Sequence, residues 1–132
     1  MERAMRQALK SASLSAEDIG YVCAHGTATD RGDIAESQAV ERLFGDKPLV
    51  SSLKGHFGHT LGGCGAIESW LTVEMLNAGR FSPTLNLSTV DERCGDLNYV
   101  MGEMANSECD YAMNNNFAFG GINTSLVFKR AR

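Results

Sequence analysis

Two short apolar runs, IGYVCA at residues 19–24 and PLVSSL at 48–53, each lead into a polar, glycine-bearing segment and then a long helix-patterned stretch. This alternation is the strongest constraint on the fold. Strands alternating with helices of this length layer helices against a sheet, so the expected class is α/β with a mixed sheet. The first helix is read over residues 2–12, from Met5, Ala8, Leu9 and Ala12. Ser15, followed by Glu17 and Asp18, reads as an N-cap. A second helix runs from Gly32 with Ile34, Ala35, Ala39, Leu43 and Phe44 near one face, and stops at Gly45. A third spans 66–79, closed by Asn77 and Gly79. SPTLNLS is extended and turn-like. Residues 97–101 read as a strand, and 111–117 with 122–130 as a final hairpin around Gly120-Gly121.

The chemistry-bearing residues fall just past strand ends. His25 follows the first strand, Lys54 and His59 the second, and Phe119 the penultimate one. Sites in open α/β sheets gather at the carboxyl ends of strands. In AHGTATD, His25 can present an N–H to a cleft, and Thr27 and Thr29 place hydroxyls on one side of an extended segment. A polar turn before a helix is the simpler alternative.

SSLKGHFGHTLGGCGAIES, residues 51–69, holds Lys54, His56, His59 and Glu68 among five glycines. From His59 to Glu68 is nine steps of about 100°, which places the two on opposite sides of one helix. A shared site therefore requires His59 to lie at or before the helix start. A buried Lys54–Glu68 pair would fix the lysine beside His59. A solvated surface pair fits the spacing equally well. His56 reads as a spectator. In NNNFAFGG, the choice is between a backbone N–H aimed at an oxyanion and a turn whose aromatics fill the core, and the pattern alone favours the turn.

Other classes are excluded by what is missing. The chain has 132 residues, about one domain, with 43% apolar and 21% charged residues. Net charge is −4 with no basic stripe, which argues against nucleic acid. No apolar run approaches the roughly 20 residues of a membrane helix, and the first residues do not read as a signal peptide. Cys23, Cys64, Cys94 and Cys109 match no zinc spacing and read as reduced cytoplasmic thiols. Neither glycine cluster has phosphate-loop spacing.

Together, AHGTATDRGDIAES, SSLKGHFGHTLGGCGAIES and NNNFAFGGINTSLVF resemble the C-terminal half of β-ketoacyl-[acyl-carrier-protein] synthases. These are condensing enzymes of fatty acid and polyketide synthesis with a thiolase-like fold. The resemblance runs from about Tyr21 to Lys129, so residues 1–132 are expected to form one C-terminal domain. It implies that His25 and His59 are the catalytic histidines, with Lys54 and its partner Glu68 beside them. It implies that Thr27 and Thr29 contact the phosphopantetheine arm. Phe119 would supply an oxyanion-hole N–H and gate the acyl pocket, with Phe117 next to it.

The implied reaction is a decarboxylative Claisen condensation of malonyl-carrier with an acyl-cysteine. No metal or redox cofactor is implied, since the substrate rides on the phosphopantetheine of acyl carrier protein. The implied partners are that carrier, malonyl and acyl thioesters, the N-terminal half of the synthase, and a second subunit of the intact homodimer. The implied setting is cytoplasmic, away from membranes and nucleic acid.

None of the four cysteines matches the family's nucleophile, so the chain is expected to be inactive alone, either a truncation or a partial synthase. A non-catalytic chain-length-factor-like subunit is the alternative, and retention of His25, Lys54, His59 and Glu68 argues against it. A thiolase would carry a Cys-x-Gly motif near the end, and none is present. Four positions depart from the family pattern. Gly63 and Cys64 stand where it has alanines, Asn116 where it has serine, and Ala118 where it has glycine. Ala118 would stiffen the turn if that position needs a positive φ. These departures suggest a divergent subgroup.

Overall fold

Strand β1 (Ile19–Cys23) lies at the centre of a five-stranded sheet in the computed structural model, which describes residues 1–131. The strand order is β4 (Asn98–Tyr99), β2 (Leu49–Ser51), β1, β6 (Tyr111–Phe117) and β7 (Asn123–Lys129). The first four pair in parallel, and β6 and β7 form an antiparallel hairpin. Strands β3 (Arg80–Phe81) and β5 (Ala105–Asn106) make a separate antiparallel pair. The mixed sheet expected from the sequence is present.

Tyr21, Val22 and Cys23 of β1 are completely buried. A strand covered on both faces reads as a continuous apolar run, which is why IGYVCA shows no alternation. A register shift between Ile19 and Tyr21 places Ile19 in the same cluster as Val22. On that face, helices α1 (Glu2–Ala12) and α2 (Asp30–Phe44) bring Met5, Leu9, Val40 and Phe44 against the sheet. On the other, helix α4 (Cys64–Ala78) brings Met75 and Leu76 against Tyr21 and Ala112. Tyr21 stacks on Phe81 with centroids 4.4 Å apart, and its hydroxyl lies 2.8 Å from Ser51 Oγ. No helix among the described residues is long and apolar enough to cross a membrane.

Several boundaries differ from the sequence reading, and the differences bear on the site. Helix α2 starts at Asp30, not Gly32, and buries Glu36, Ser37, Ala39, Val40 and Phe44. Ile34 and Leu43 are half-buried and Ala35 is exposed. The helix is turned by about one position from the apolar face, because the Glu36 carboxylate is drawn inward by backbone donors described below. Helix α4 starts at Cys64 and buries Cys64, Glu68, Thr72 and Leu76 at four-residue spacing. Half of that stripe is polar, so apolar periodicity does not reveal it.

A short helix, α3 (Lys54–Phe57), occupies what reads in sequence as a glycine loop. β2 is trimmed to three residues and β4 to two. Ser15 does cap, in a capping box with Asp18, but what it caps is the 3₁₀ turn Ala16–Asp18. Ala118 has φ −108°, so no positive φ is needed there; the hairpin turn places positive φ at Gly120 and Gly121.

Candidate active site

Because β2, β1 and β6 are parallel neighbours, their carboxyl ends leave the sheet at one edge. His25 emerges just past β1, Lys54 just past β2, and Phe119 just past β6. The two loops are tied together. Ala24 N–H donates to Ser51 O at 2.9 Å, and the Ser52 hydroxyl to Gly26 O at 2.8 Å. Gly26 has φ +40°, and a Cβ there would lie 2.5 Å from Ser52 Cβ, so only glycine permits this closure.

The imidazoles of His25 and His59 meet edge to face, with centroids 5.3 Å apart, and the Phe117 ring lies 6.3 Å from His25. His59 precedes the helix, as the geometry of a shared site requires. It is exposed, and its Nδ1 accepts the Leu61 N–H at 3.1 Å. A neutral ring accepting at Nδ1 carries its proton on Nε2, so the outward nitrogen is a donor. Leu61 holds φ +51°, an uncommon conformation for leucine that turns its N–H back onto His59. His25 is half-buried, and its imidazole is lowered to about 4, by burial first, then by the Lys54 ammonium and His59. It is therefore neutral near pH 7. The Lys54 ammonium thus acts on the His25 ring.

Lys54 and Glu68 form a buried ion pair, Nζ to Oε1, with Glu68 completely inaccessible. The surface-pair alternative is thereby excluded. A charge this deep needs its remaining oxygen satisfied, and Asn116 Nδ2 donates to Glu68 Oε2 at 3.2 Å. The Thr27 and Thr29 hydroxyls lie 3.2 Å apart. Thr29 occupies the N-cap of α2 without capping it, so its hydroxyl stays in this pair. Gly32 makes room, since a Cβ there would lie 2.3 Å from Thr29 Oγ1.

His56 is not in the cluster, but it is not idle. Its Nε2 donates to Pro83 O at 2.9 Å and lies 3.1 Å from Ser82 Oγ, pinning α3 to the loop after β3. Phe117 is buried, whereas the Phe119 side chain is fully exposed, at 102% relative accessibility. The sequence reading missed Glu36. It is buried, and its two oxygens accept the backbone N–H groups of His25 at 2.8 Å and Gly26 at 2.9 Å. Burial raises its carboxyl to about 7, with those two donors and Lys54 opposing. The available signal was position: Glu36 stands four and eight residues before Val40 and Phe44 on one helix face.

Three of the cysteines are held towards the thiol form. Cys23 is completely buried and its thiol is pushed up to about 12 by burial. Burial also raises Cys64 and Cys109. All four cysteines are free, and no group of side chains suited to a metal occurs among the described residues.

A family model described as β-ketoacyl synthase, C-terminal domain, matches residues 1–88. The chain belongs to the β-ketoacyl synthase family. It is 40% identical over 130 residues to 3-oxoacyl-[acyl-carrier-protein] synthase 1 of Haemophilus influenzae, covering 98% of this chain and 31% of that protein. It is 43% identical over 132 residues to synthase 2 of Vibrio cholerae, covering 96% of this chain and 32% of the relative. A crystal structure of a β-ketoacyl synthase from Burkholderia phymatum superposes with TM-score 0.97 at 56% identity, over 99% of this chain and 32% of that one. A ketosynthase in complex with its chain length factor from Xenorhabdus doucetiae superposes at 0.91 with 34% identity, over 98% of this chain and 33% of that one. The chain thus spans about a third of these relatives. Its thiolase-like fold is that of the β-ketoacyl synthases.

Proposed function

We propose that this chain supplies the decarboxylation half of a 3-oxoacyl-[acyl-carrier-protein] synthase site. The observation that carries the reading is the His25–His59 pair, edge to face at 5.3 Å, with the Lys54 of a buried Lys54–Glu68 ion pair acting on His25. In this reading, malonyl-carrier places its thioester carbonyl between the two rings. The bond from the α-carbon to the carboxylate breaks, carbon dioxide leaves, and the electron pair moves onto the thioester oxygen as an enolate. Neutral N–H donors stabilise that oxygen without giving up a proton. The donor tautomer at His59 and the depressed imidazole at His25 support this role. The enolate carbon then attacks an acyl-cysteine thioester, and the thiolate departs.

That cysteine would come from the part of the synthase that this chain does not span, since none of the four here matches the family's nucleophile and burial raises the Cys23, Cys64 and Cys109 thiols. Thr27 and Thr29 would hold the phosphopantetheine arm. The Phe119 N–H would serve the oxyanion, and its exposed ring would close the acyl pocket against the remainder of the enzyme. Retention of His25, Lys54, His59 and Glu68 favours a condensing subunit over a chain length factor.

The test is made in the full-length polypeptide. His59→Ala is expected to lower malonyl-carrier decarboxylation by about 100-fold or more while the nucleophilic cysteine still takes an acyl group. Loss of acylation with decarboxylation intact would assign His59 the opposite role. Mass spectrometry of this chain with acyl-carrier thioester is expected to show no acyl-cysteine, and acylation at Cys23 would overturn the division of labour.

A further inference from the structure

Three consecutive asparagines on β6 divide between the two faces of the sheet. Asn115 turns towards α1, with Nδ2 3.3 Å from Met5 Sδ and Oδ1 accepting the Ser125 hydroxyl at 2.7 Å. Asn114 and Asn116 turn towards α4. Asn114 Nδ2 donates to Ser69 Oγ at 3.0 Å and to Gly65 O at 3.4 Å, gripping the first turns of that helix. Asn116 Nδ2 donates to Glu68 Oε2 at 3.2 Å. The two oxygens of the Glu68 carboxylate therefore have different partners: Lys54 holds Oε1 and Asn116 holds Oε2.

We propose that Asn116 is a positioning residue for Lys54. It occupies Oε2 so that the ammonium is confined to Oε1 and stays beside the histidine pair. The physical reason is the choice open to an ammonium facing a bare carboxylate. It can bind one oxygen or straddle both, and an uncompensated second oxygen in a buried site favours straddling. A neutral amide donor on Oε2 removes that option without adding a second positive charge near His25. Serine, which the family pattern has here, carries its donor on a shorter side chain. Within this network the longer reach of asparagine lets β6 contact the Glu68 head group directly. The functional consequence rests on the condensing role proposed above; the effect on Lys54 does not.

The experiment uses the full-length polypeptide with Asn116→Leu and Asn116→Ser. Three quantities are read: kcat and KM for malonyl-carrier decarboxylation, acyl transfer to the cysteine, and the titration of His25 by nitrogen-15 NMR. The groups around His25 are Lys54, His59 and Phe117 at its ring and the Glu36 carboxyl at its backbone N–H. For Asn116→Leu, kcat is expected to fall about tenfold with KM and acyl transfer little changed, as for a displaced but intact catalytic group. The His25 midpoint is expected to move, because the Lys54 ammonium that lowers it changes its position on the carboxylate. Asn116→Ser is expected to lie between parent and Leu in both readings. An unmoved His25 titration in Asn116→Leu overturns the proposal, as does a parallel fall of kcat and acyl transfer with melting temperature, which would mark a purely structural role. If the parent polypeptide does not decarboxylate malonyl-carrier, the condensing role fails, and the His25 titration still decides whether Asn116 places Lys54.

Discussion

Glu36 and His25 titrate in opposite senses over overlapping pH ranges, although Glu36 accepts the backbone N–H of His25. The Glu36 carboxyl is raised from 4.5 to about 7, with burial the leading cause. The folded chain therefore keeps a proton that the unfolded chain releases. That contribution to stability is complete below about pH 4.5 and is lost as pH rises through about 7. His25 is lowered from 6.5 to about 4, so its contribution is present above about 6.5 and lost as pH falls through about 4. It is the smaller of the two, because the ring is only half-buried and water screens it. Glu36→Gln removes the first effect and leaves the second. The variant also loses an acceptor for one of two buried N–H groups, so it starts less stable than the parent. Its deficit is expected to shrink between about pH 5 and about pH 8, measured by denaturant midpoints. A deficit that stays constant over that range would show that Glu36 is ionised throughout.

At the scale of elements, the start of α2 sets two preferences against each other. Gly32 lies in the first turn of the helix, where alanine would be favoured by up to about 1 kcal/mol. A Cβ there would meet Thr29 Oγ1 at 2.3 Å, the end of a side chain that rotates away cheaply. Gly32→Ala is thus expected to leave the helix as stable or slightly more so, while turning the Thr29 hydroxyl out of its 3.2 Å contact with Thr27. If those hydroxyls hold the carrier arm, KM for carrier-linked thioesters rises and kcat changes little. Equal KM values for parent and variant would remove Thr29 from that role. The same logic explains why α4 is hard to read from its sequence. Its inward face carries Glu68 and Thr72 as well as Leu76, because it supports a site as well as a core.

The molecule as a whole leaves large apolar groups in water. Leu61, Phe119 and Ile122 are exposed around the site edge, Trp70 on α4, and Leu126 on β7, an edge strand of the sheet. Single exposed apolar residues are ordinary, but several large ones with an open strand edge favour association. In the synthase site proposed above, the remainder of the synthase would cover these groups. Alone, the chain is expected to self-associate in light scattering, and Trp70→Glu with Leu126→Glu to lower the apparent mass. A stable monomer without those substitutions would show that this surface is tolerated in water.

The strand–helix alternation and the burial of β1 were legible in the sequence because they follow from local patterns: continuous apolar runs and helical spacing. The positions of His25, Lys54 and His59 at strand ends were legible for the same reason, and the angular argument alone required His59 to precede its helix. Glu36, the short helix at Lys54 and the pin from His56 to Pro83 were not. Each depends on a partner distant in sequence or on backbone donors with no residue signature. Whether Lys54 and Glu68 pair in the core or on the surface was likewise undecided by spacing. It was the burial of α4 against β6, with Asn116 taking the second oxygen, that made the pair internal. Local composition determined which elements form and which residues sit at their ends. Only the parallel packing of three strands decided which of those residues meet, because that meeting depends on contacts the sequence does not encode locally.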